Sequence, residues 1–323
     1  MQGKVKPDLD AIEAFYVGID VCKERLDVHV HPSGETFAVA NDAGGWRCLK
    51  RKLARYLVER VVMESTSKFH RAAHRSLAAA GYATAIVNPL RVRLFAEAAG
   101  VLAKTDRLDA RVLALMACQL APGATEPASK SLEDLGEMAH ARRKLIEQRT
   151  ATLLQQSTVA CRSVHGTLRA HLAAIAKAIG SLDKQIMEAI HSDAALARRF
   201  AILTSIPSIG PVVASTLIAA MAELGSLGGK QAAALAGLAP FADDSGPRTG
   251  KRRIRGGRAE VRRALYQAAL VAARFHPQLK QVYLRLTAEG KAKKLALIAI
   301  ARKLLVLANT LITENRTWQP RHA

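Results

Sequence analysis

Between residues 15 and 89 the chain carries five short apolar runs, and the lengths of chain between them restrict the fold more than any other feature. FYVGIDV (15–21), LDVHVH (26–31) and ETFAVA (35–40) are separated only by the polar piece CKER and by a turn at Pro32-Ser33-Gly34. Connections that short join antiparallel neighbours, so the three runs read as a β-meander. A helix-forming stretch around 43–57 leads to VVME (61–64), and a helix over 67–80, stopped by Gly81, leads to TAIVNP (84–89), closed by Asn88-Pro89. Helices follow at 90–99 and 106–120, separated by Gly100.

Three antiparallel strands followed by alternating helix and strand is the order of an RNase H-like α/β domain. Asp20 ends the first run, Glu64 ends VVME, and Asp106 and Asp109 lie one helical turn apart in KTDRLDA. That fold brings carboxylates together from its first strand, from a neighbouring strand and from a helix on the sheet. Converging carboxylates hold hard divalent cations such as Mg²⁺ or Mn²⁺. Two such cations activate a nucleophile and stabilise the leaving oxygen of a phosphoryl displacement. Structural roles compete: Asp106 as a helix N-cap after Thr105, Asp109 as a partner of the helix dipole. Placement of Asp20 and Glu64 at strand ends favours the metal site.

The charge balance names the substrate class. The chain has 323 residues, with 48 Lys+Arg against 27 Asp+Glu and a formal net charge of +21. A surplus of that size points to nucleic acid, bound through phosphate neutralisation. No run of about 18 uninterrupted apolar residues and no signal peptide is seen, so an intracellular, cytoplasmic protein without a membrane partner is expected, nucleoid-associated when active. Aromatics are only 4% of the chain, and Ala, Leu and Ile dominate its apolar content, which favours helix. Cys22, Cys48, Cys118 and Cys161 show no CxxC spacing, which argues against structural zinc and against a disulfide framework. His70 and His74 share a helix face, but the basic segment KFHRAAHR reads better as a solvated or phosphate-contacting surface than as a zinc site.

Residues 121–130, APGATEPASK, end the first domain. From 131 to about 200 the chain is helix-forming, with apolar positions at Leu145, Leu153 and Leu154 and then Leu172, Ile175, Ile179, Leu182 and Ile186. Gly166 and Gly180-Ser181 are candidate breaks. A helical hairpin or coiled coil that pairs with another subunit fits best, with an intramolecular bundle as the alternative. At 201–222 an apolar helix end meets Ile206-Pro207-Ser208-Ile209-Gly210, and a second apolar helix starts at Pro211. This is helix-hairpin-helix-like: the turn at Gly210 offers backbone N–H groups to phosphate, although a plain helix turn with Pro at N1 would look similar. A short helix is expected over about 230–236. Residues 248–263 then hold eight Arg/Lys against one acid, Glu260. Arg248, Lys251, Arg252, Arg253, Arg255 and Arg258 are interleaved with glycine there, an arrangement suited to gripping a phosphate backbone rather than to a solvated surface helix. A second basic cluster lies at Lys291, Lys293 and Lys294. Ser245, in Asp243-Asp244-Ser245-Gly246-Pro247, precedes this basic stretch and can present its hydroxyl to a phosphate, though Ser-Gly-Pro is also ordinary turn chemistry.

Here the chain resembles the DEDD transposases of bacterial insertion sequences, the IS110 family. The blocks YVGIDVCKERLDVHV, VVMEST and IVNPLRVRLFAEAAGVLAKTDRLDARVLA resemble that family's RuvC-like nuclease domain. LTSIPSIGPVVASTLIAAM through LAGLAPFADDSGPRTGKRRIRGGRAEVRRALYQAAL resembles its second, transposase-specific domain. The resemblance implies a RuvC-like domain over 1–125, a helical coiled-coil segment over 126–200 and an all-α C-terminal domain over 201–323. It implies Asp20, Glu64, Asp106 and Asp109 as ligands of Mg²⁺, with Mn²⁺ an alternative, and Ser245 as the nucleophile. It implies a phosphoserine intermediate, strand exchange on donor and target DNA, a noncoding RNA from the element as guide, and homodimers assembling into a tetramer. The chain departs from the family's usual Glu-Ala-Thr-Gly at Glu64-Ser65-Thr66-Ser67, where Ser67 stands for Gly. Two rivals remain: a metal-dependent junction resolvase or nuclease that uses water, and a catalytically silent nucleic-acid-binding relic.

Overall fold

The structure, a computed structural model, describes residues 14–65, 68–101, 106–242, 250 and 252–320, with the side chains of 106–108 excluded. The chain divides into two compact units, Met1–Pro127 and Ala128–Ala323.

The first unit is built on a five-stranded sheet in the order β3-β2-β1-β4-β5. Strands β1 (Phe15–Val21), β2 (Arg25–His31) and β3 (Thr36–Ala40) form the expected meander. Helix α1 (Ala43–Leu53) leads to β4 (Val58–Glu64), and α2 (His70–Ala78) to β5 (Thr84–Val87). Both β4 and β5 join the sheet in parallel. Helices α3 (Pro89–Ala98) and α4 (Asp106–Leu120) complete the unit. The sheet order and the placement of helices on both faces are those of an RNase H-like fold. One face carries Val17, Ile19, Leu26 and Val28 against Leu49 and Leu53 of α1 and Leu77 of α2. The other carries Val62 and Ala85 against Val92 of α3 and Leu113 and Met116 of α4.

Two of the boundaries that differ from the expected ones have a clear local cause. Helix α1 ends at Leu53 rather than near 57, because the central strand β1 requires a partner along its length. Phe15 N donates to Leu57 O at 2.9 Å, and Val58 already pairs with Phe15. Asn88-Pro89 closes β5 and also opens α3, since Asn88 Oδ1 accepts from Leu90 N at 2.8 Å and Pro89 takes the first turn. The Pro/Gly-rich segment that follows α4 folds back along β5 before leaving the unit. Thr125 N donates to Thr84 O at 2.8 Å, and Ile86 N donates to Thr125 Oγ1 at 3.1 Å.

The second unit begins with the long helices α5 (Lys130–Thr158) and α6 (Arg162–Ser192), which pack as an antiparallel hairpin. Arg142 on α5 pairs with Asp183 on α6. Leu168, Ile175, Ile179, Ile186 and Ile190 form the buried stripe of α6. Gly166 and Gly180 lie inside α6 and do not break it. A helical glycine costs about 1 kcal/mol relative to alanine, less than one buried leucine contributes at about 1.5–3 kcal/mol. The remaining elements are α7 (Ala194–Ser205), α8 (Pro211–Ala220), α9 (Gly229–Leu235), the two-residue strands β6 (Pro240–Phe241) and β7 (Arg253–Ile254), α10 (Ala259–Phe275), α11 (Leu279–Ala288) and α12 (Lys293–Thr313).

Helix α12 is long and apolar enough to cross a membrane by length and composition. Its Ile300, Ala301, Leu304, Leu305, Ala308 and Leu311 are nevertheless fully buried in the unit's core, which makes it a core helix. Asn309, buried on the same helix, donates to Leu227 O at 2.7 Å and accepts from Gly225 N at 2.9 Å, so its amide is satisfied.

Candidate functional site

In the first unit the strand register places two of the expected carboxylates, Asp20 and Glu64, at one end of the sheet. Gly18 pairs with Val62 and Ile19 with Met63 across the parallel β1–β4 ladder, so Asp20 and Glu64 follow together at the C-terminal ends of adjacent strands. Both lie two residues beyond positions that face α4, and side chains two apart share a face. Gly18 shows why α4 comes so near. A Cβ on Gly18 would stand 2.0 Å from Ala110 O and 2.3 Å from Ala114 N, so the backbone of α4 crosses directly over β1. Asp109 immediately precedes Ala110 in that helix, and Asp106 begins it. The side chain of Asp106 lies outside the described residues, as do Thr66, Ser67 and Thr105. Among the described residues no group of three or more His, Cys, Asp and Glu is arranged to hold a metal. The donor chemistry suits a hard divalent cation, since all four expected ligands are carboxylates. Asp20 also accepts from Val21 N through Oδ1 at 3.0 Å, which orients its carboxylate at the strand end.

Sequence reasoning missed two residues here. One is Gly18, whose signal was a glycine in the middle of an apolar strand. The other is Asp27, which pairs with Asp20 across the antiparallel β1–β2 ladder and is only 6% exposed. Its signal was a carboxylate interrupting an apolar strand. Arg25 Nε donates to Asp27 Oδ2 at 2.8 Å, so this buried charge is balanced. His29, opposite Gly18, is held below its ordinary range first by burial, then by the charges of Arg111 and His31. His74 requires a correction. It is buried rather than solvated, with Nε2 at 2.8 Å from Thr125 O, and so ties α2 to the segment after α4.

In the second unit, α7 and α8 are joined by Ile206–Gly210, with Ile206 and Ile209 buried as pins. Gly210 is the exposed N-cap of α8 and has no side chain to cap it, and the first N–H groups of that helix, as of any helix, have no intrahelical partners. Ser208 has φ +81°, and its buried Oγ has no hydrogen-bond partner among the described residues. Ser245, Arg248 and Lys251 lie outside the described residues. The chain on either side of them is paired: Pro240 with Ile254 and Phe241 with Arg253. Arg252, Arg253 and Arg255 are exposed, and the Arg255 guanidinium stands 5.2 Å from the centre of the Phe241 ring.

Arg258, expected among the phosphate-binding residues, is half-buried and paired within the unit. It makes two 2.7 Å hydrogen bonds to the Glu223 carboxylate and donates to Ala220 O at 2.6 Å. Those bonds, with the charges of Arg258 and Arg199, hold the Glu223 carboxyl below its ordinary range. Arg258 therefore braces the turn after α8. Lys293 and Lys294 are exposed in the first turn of α12, where the helix dipole disfavours cations and makes an anionic partner welcome.

Two family models match the chain. One, described as a transposase and specific to the DEDD type of IS110, matches residues 17–159; the other, described as the transposase IS116/IS110/IS902 family, matches residues 200–284. The chain is 29% identical over 321 residues to a pilin gene-inverting protein of Moraxella bovis, covering 95% of this chain and 98% of that protein. It is 28% identical over 321 residues to the pilin gene-inverting protein of Moraxella lacunata, with the same coverage. It is 31% identical over 160 residues to the 42 kDa protein of insertion element IS900 from Mycobacterium paratuberculosis, covering 46% of this chain and 39% of that protein.

Proposed function

The chain belongs to the IS110 family of transposases, and on that footing we propose that it cuts and rejoins DNA strands through a serine nucleophile, Ser245, assisted by a carboxylate site formed by Asp20, Glu64, Asp106 and Asp109. The observation that carries this reading is the meeting of β1, β4 and α4. Gly18 lets α4 lie on the sheet next to Ala110, and the register sets Asp20 and Glu64 side by side at the strand ends. Carboxylates brought close together repel one another unless a cation is shared among them. A divalent cation bound there, Mg²⁺ by the oxygen donor set, would supply charge neutralisation at the reacting phosphate.

The steps assigned to the chain's own residues conserve bonds. Ser245 Oγ attacks a DNA phosphodiester, the Oγ–P bond forms, one P–O bond to the deoxyribose breaks, and the serine proton passes to the departing hydroxyl. A hydroxyl of the partner strand then attacks the phosphoserine, the new P–O bond forms, and Ser245 recovers its proton. No hydrolysis or external energy is needed, which suits exchange rather than cutting. Arg252, Arg253 and Arg255, with the expected Arg248 and Lys251, would hold the backbone, and the N-terminus of α8 at Gly210 would take a phosphate in the helix-hairpin-helix manner. Phe241 carries its ring at 40% exposure beside Arg255, an arrangement able to stack on a base.

Guidance by a noncoding RNA of the element is part of the proposal, supported by the +21 charge, which exceeds what one short DNA contact uses. Pairing of subunits through the α5–α6 hairpin into dimers and then a tetramer is supported by Leu153 and Leu154, exposed at 49% and 66% on that hairpin. The relatives named for pilin gene inversion make DNA inversion a candidate outcome alongside insertion.

The test incubates the purified chain, with whatever RNA accompanies it, with DNA from the flanks of its own gene and Mg²⁺. The wild type is expected to leave an SDS-stable protein–DNA adduct that Ser245→Ala and Asp20→Asn both abolish, and ribonuclease treatment is expected to end site-directed activity. Cleavage that survives Ser245→Ala and leaves no adduct would assign the chain to the water-using nucleases instead. Unchanged activity after ribonuclease would remove the guide.

A further inference from the structure

The sequence from 238 to 255 includes Ser245 and the exposed Arg252, Arg253 and Arg255, and the residues that flank it on either side meet at one crossing. Gly237 and Gly257 meet there backbone to backbone. A Cβ on Gly257 would lie 2.2 Å from Gly237 N and 2.8 Å from Leu235 O; one on Gly237 would lie 2.3 Å from Gly256 O and 2.1 Å from Arg262 Nη1. Gly237, Gly256 and Gly257 all take left-handed backbone, at φ +67°, +65° and +64°.

Hydrogen bonds tie both legs of the crossing. Arg258 N donates to Leu235 O at 2.8 Å, and Leu238 N donates to Ala233 O at 2.8 Å. Arg262 Nη1 donates to Gly256 O at 2.7 Å and reaches Gly237 O at 3.4 Å, so one guanidinium bridges the outgoing and returning chain. The β6–β7 pair continues the contact just beyond.

We propose that this crossing is a clamp that positions the serine loop, with Gly237, Gly257 and Arg262 as positioning residues for strand transfer. The proposal rests on the reading of Ser245 as nucleophile. Holding the two ends of a loop together removes closure entropy before any DNA arrives. It also sets where the loop can place its reactive group, and a displacement of about 1 Å can cost about a hundredfold in rate. None of the three residues needs to touch DNA for this role.

Gly256 and Gly257 provide an internal control. They share the same left-handed φ, so alanine strains the backbone equally at both, but a Cβ on Gly256 meets nothing within 4 Å whereas one on Gly257 strikes Gly237. The full-length chain, expressed from a plasmid bearing its gene and native flanking DNA, would be scored for recombinant junctions, for SDS-stable adduct, for DNA affinity and for melting temperature. Gly257→Ala is expected to lower junction and adduct yield about a hundredfold while DNA affinity stays within a few-fold. Gly256→Ala is expected to lose far less. Equal losses in the two variants, or none in either, overturn the clamp.

If Gly257→Ala fails to melt cooperatively, Arg262→Ala and Arg262→Lys carry the test. A loss of adduct with binding and melting intact, partly restored by lysine, supports positioning; wild-type adduct in Arg262→Ala overturns it. Ser245→Ala separates the two readings. If it still yields junctions, the nucleophile assignment falls and the clamp falls with it. If it is inactive while Gly257→Ala recombines normally, only the clamp falls.

Discussion

Gly18 is the residue on which the first unit's site depends. Its missing side chain lets α4 lie against β1, with Ala110 O and Ala114 N where a Cβ would be. Gly18→Ala is therefore expected to push the helix away, costing about 1–3 kcal/mol of stability as overpacking does. It should also abolish recombination by separating Asp109 from Asp20. Thermal unfolding checks the first part and junction counting the second; a variant with wild-type melting and activity would refute the close approach. Other residues mean different things in sequence and in structure. Arg258 reads as one more cation of a basic run, yet its guanidinium is spent on Glu223 and Ala220 O. His74 reads as part of a basic solvated face, yet it is a buried link to Thr125. A side chain's type is written in the sequence, but its partner is a property of the packed chain.

At the scale of elements, periodicity and turn chemistry made the meander, the parallel strands and the helices of the first unit readable, because the runs are short and apolar and several are bounded by Gly, Pro or Asn. The long helices were readable in type but not in continuity: Gly166 and Gly180 look like breaks, and packing against α5 carries α6 through both. The basic hairpin β6–β7 keeps Arg252, Arg253 and Arg255 exposed. Arg252→Ala with Arg253→Ala is expected to weaken nucleic-acid binding and to flatten its dependence on log salt by about one unit per lost phosphate contact. Titrating both forms against a labelled duplex over a range of salt measures this, and parallel slopes would show that the two arginines only face solvent.

At the scale of the whole molecule, His276 links stability to pH. It is fully buried, its Nδ1 accepts from Gln278 N at 3.2 Å and from Leu279 N at 3.3 Å at the start of α11, and its ring stands edge-on to Trp318 at 5.7 Å. Burial holds it below the ordinary value of 6.5. The unfolded chain therefore takes up a proton that the folded one resists. The stability from the neutral ring is present above pH 6.5 and is lost as pH falls through the lowered folded value. His29 acts in the same direction in the first unit. Glu223 is held below 4.5, so its contribution is lost only at lower pH and does not blur this window. Melting temperature should fall between about pH 7.5 and about pH 5, and His276→Gln should flatten that fall. A slope identical in the variant would remove His276 from the account.

The sequence by itself determined the element order, the RNase H-like class of the first unit, the carboxylates at strand ends and the basic, glycine-rich stretch around Ser245. These are local matters of periodicity, turn residues and charge, and each is legible within a few residues. Only the tertiary structure decided that Gly18 seats α4 on the sheet, that Asp27 stands beside Asp20, that Arg258 pairs with Glu223, and that Gly237 and Gly257 cross. Those contacts join residues that are distant or unremarkable in the chain. Their physical content, which atoms exclude or bond which others, exists only once the backbone brings them together.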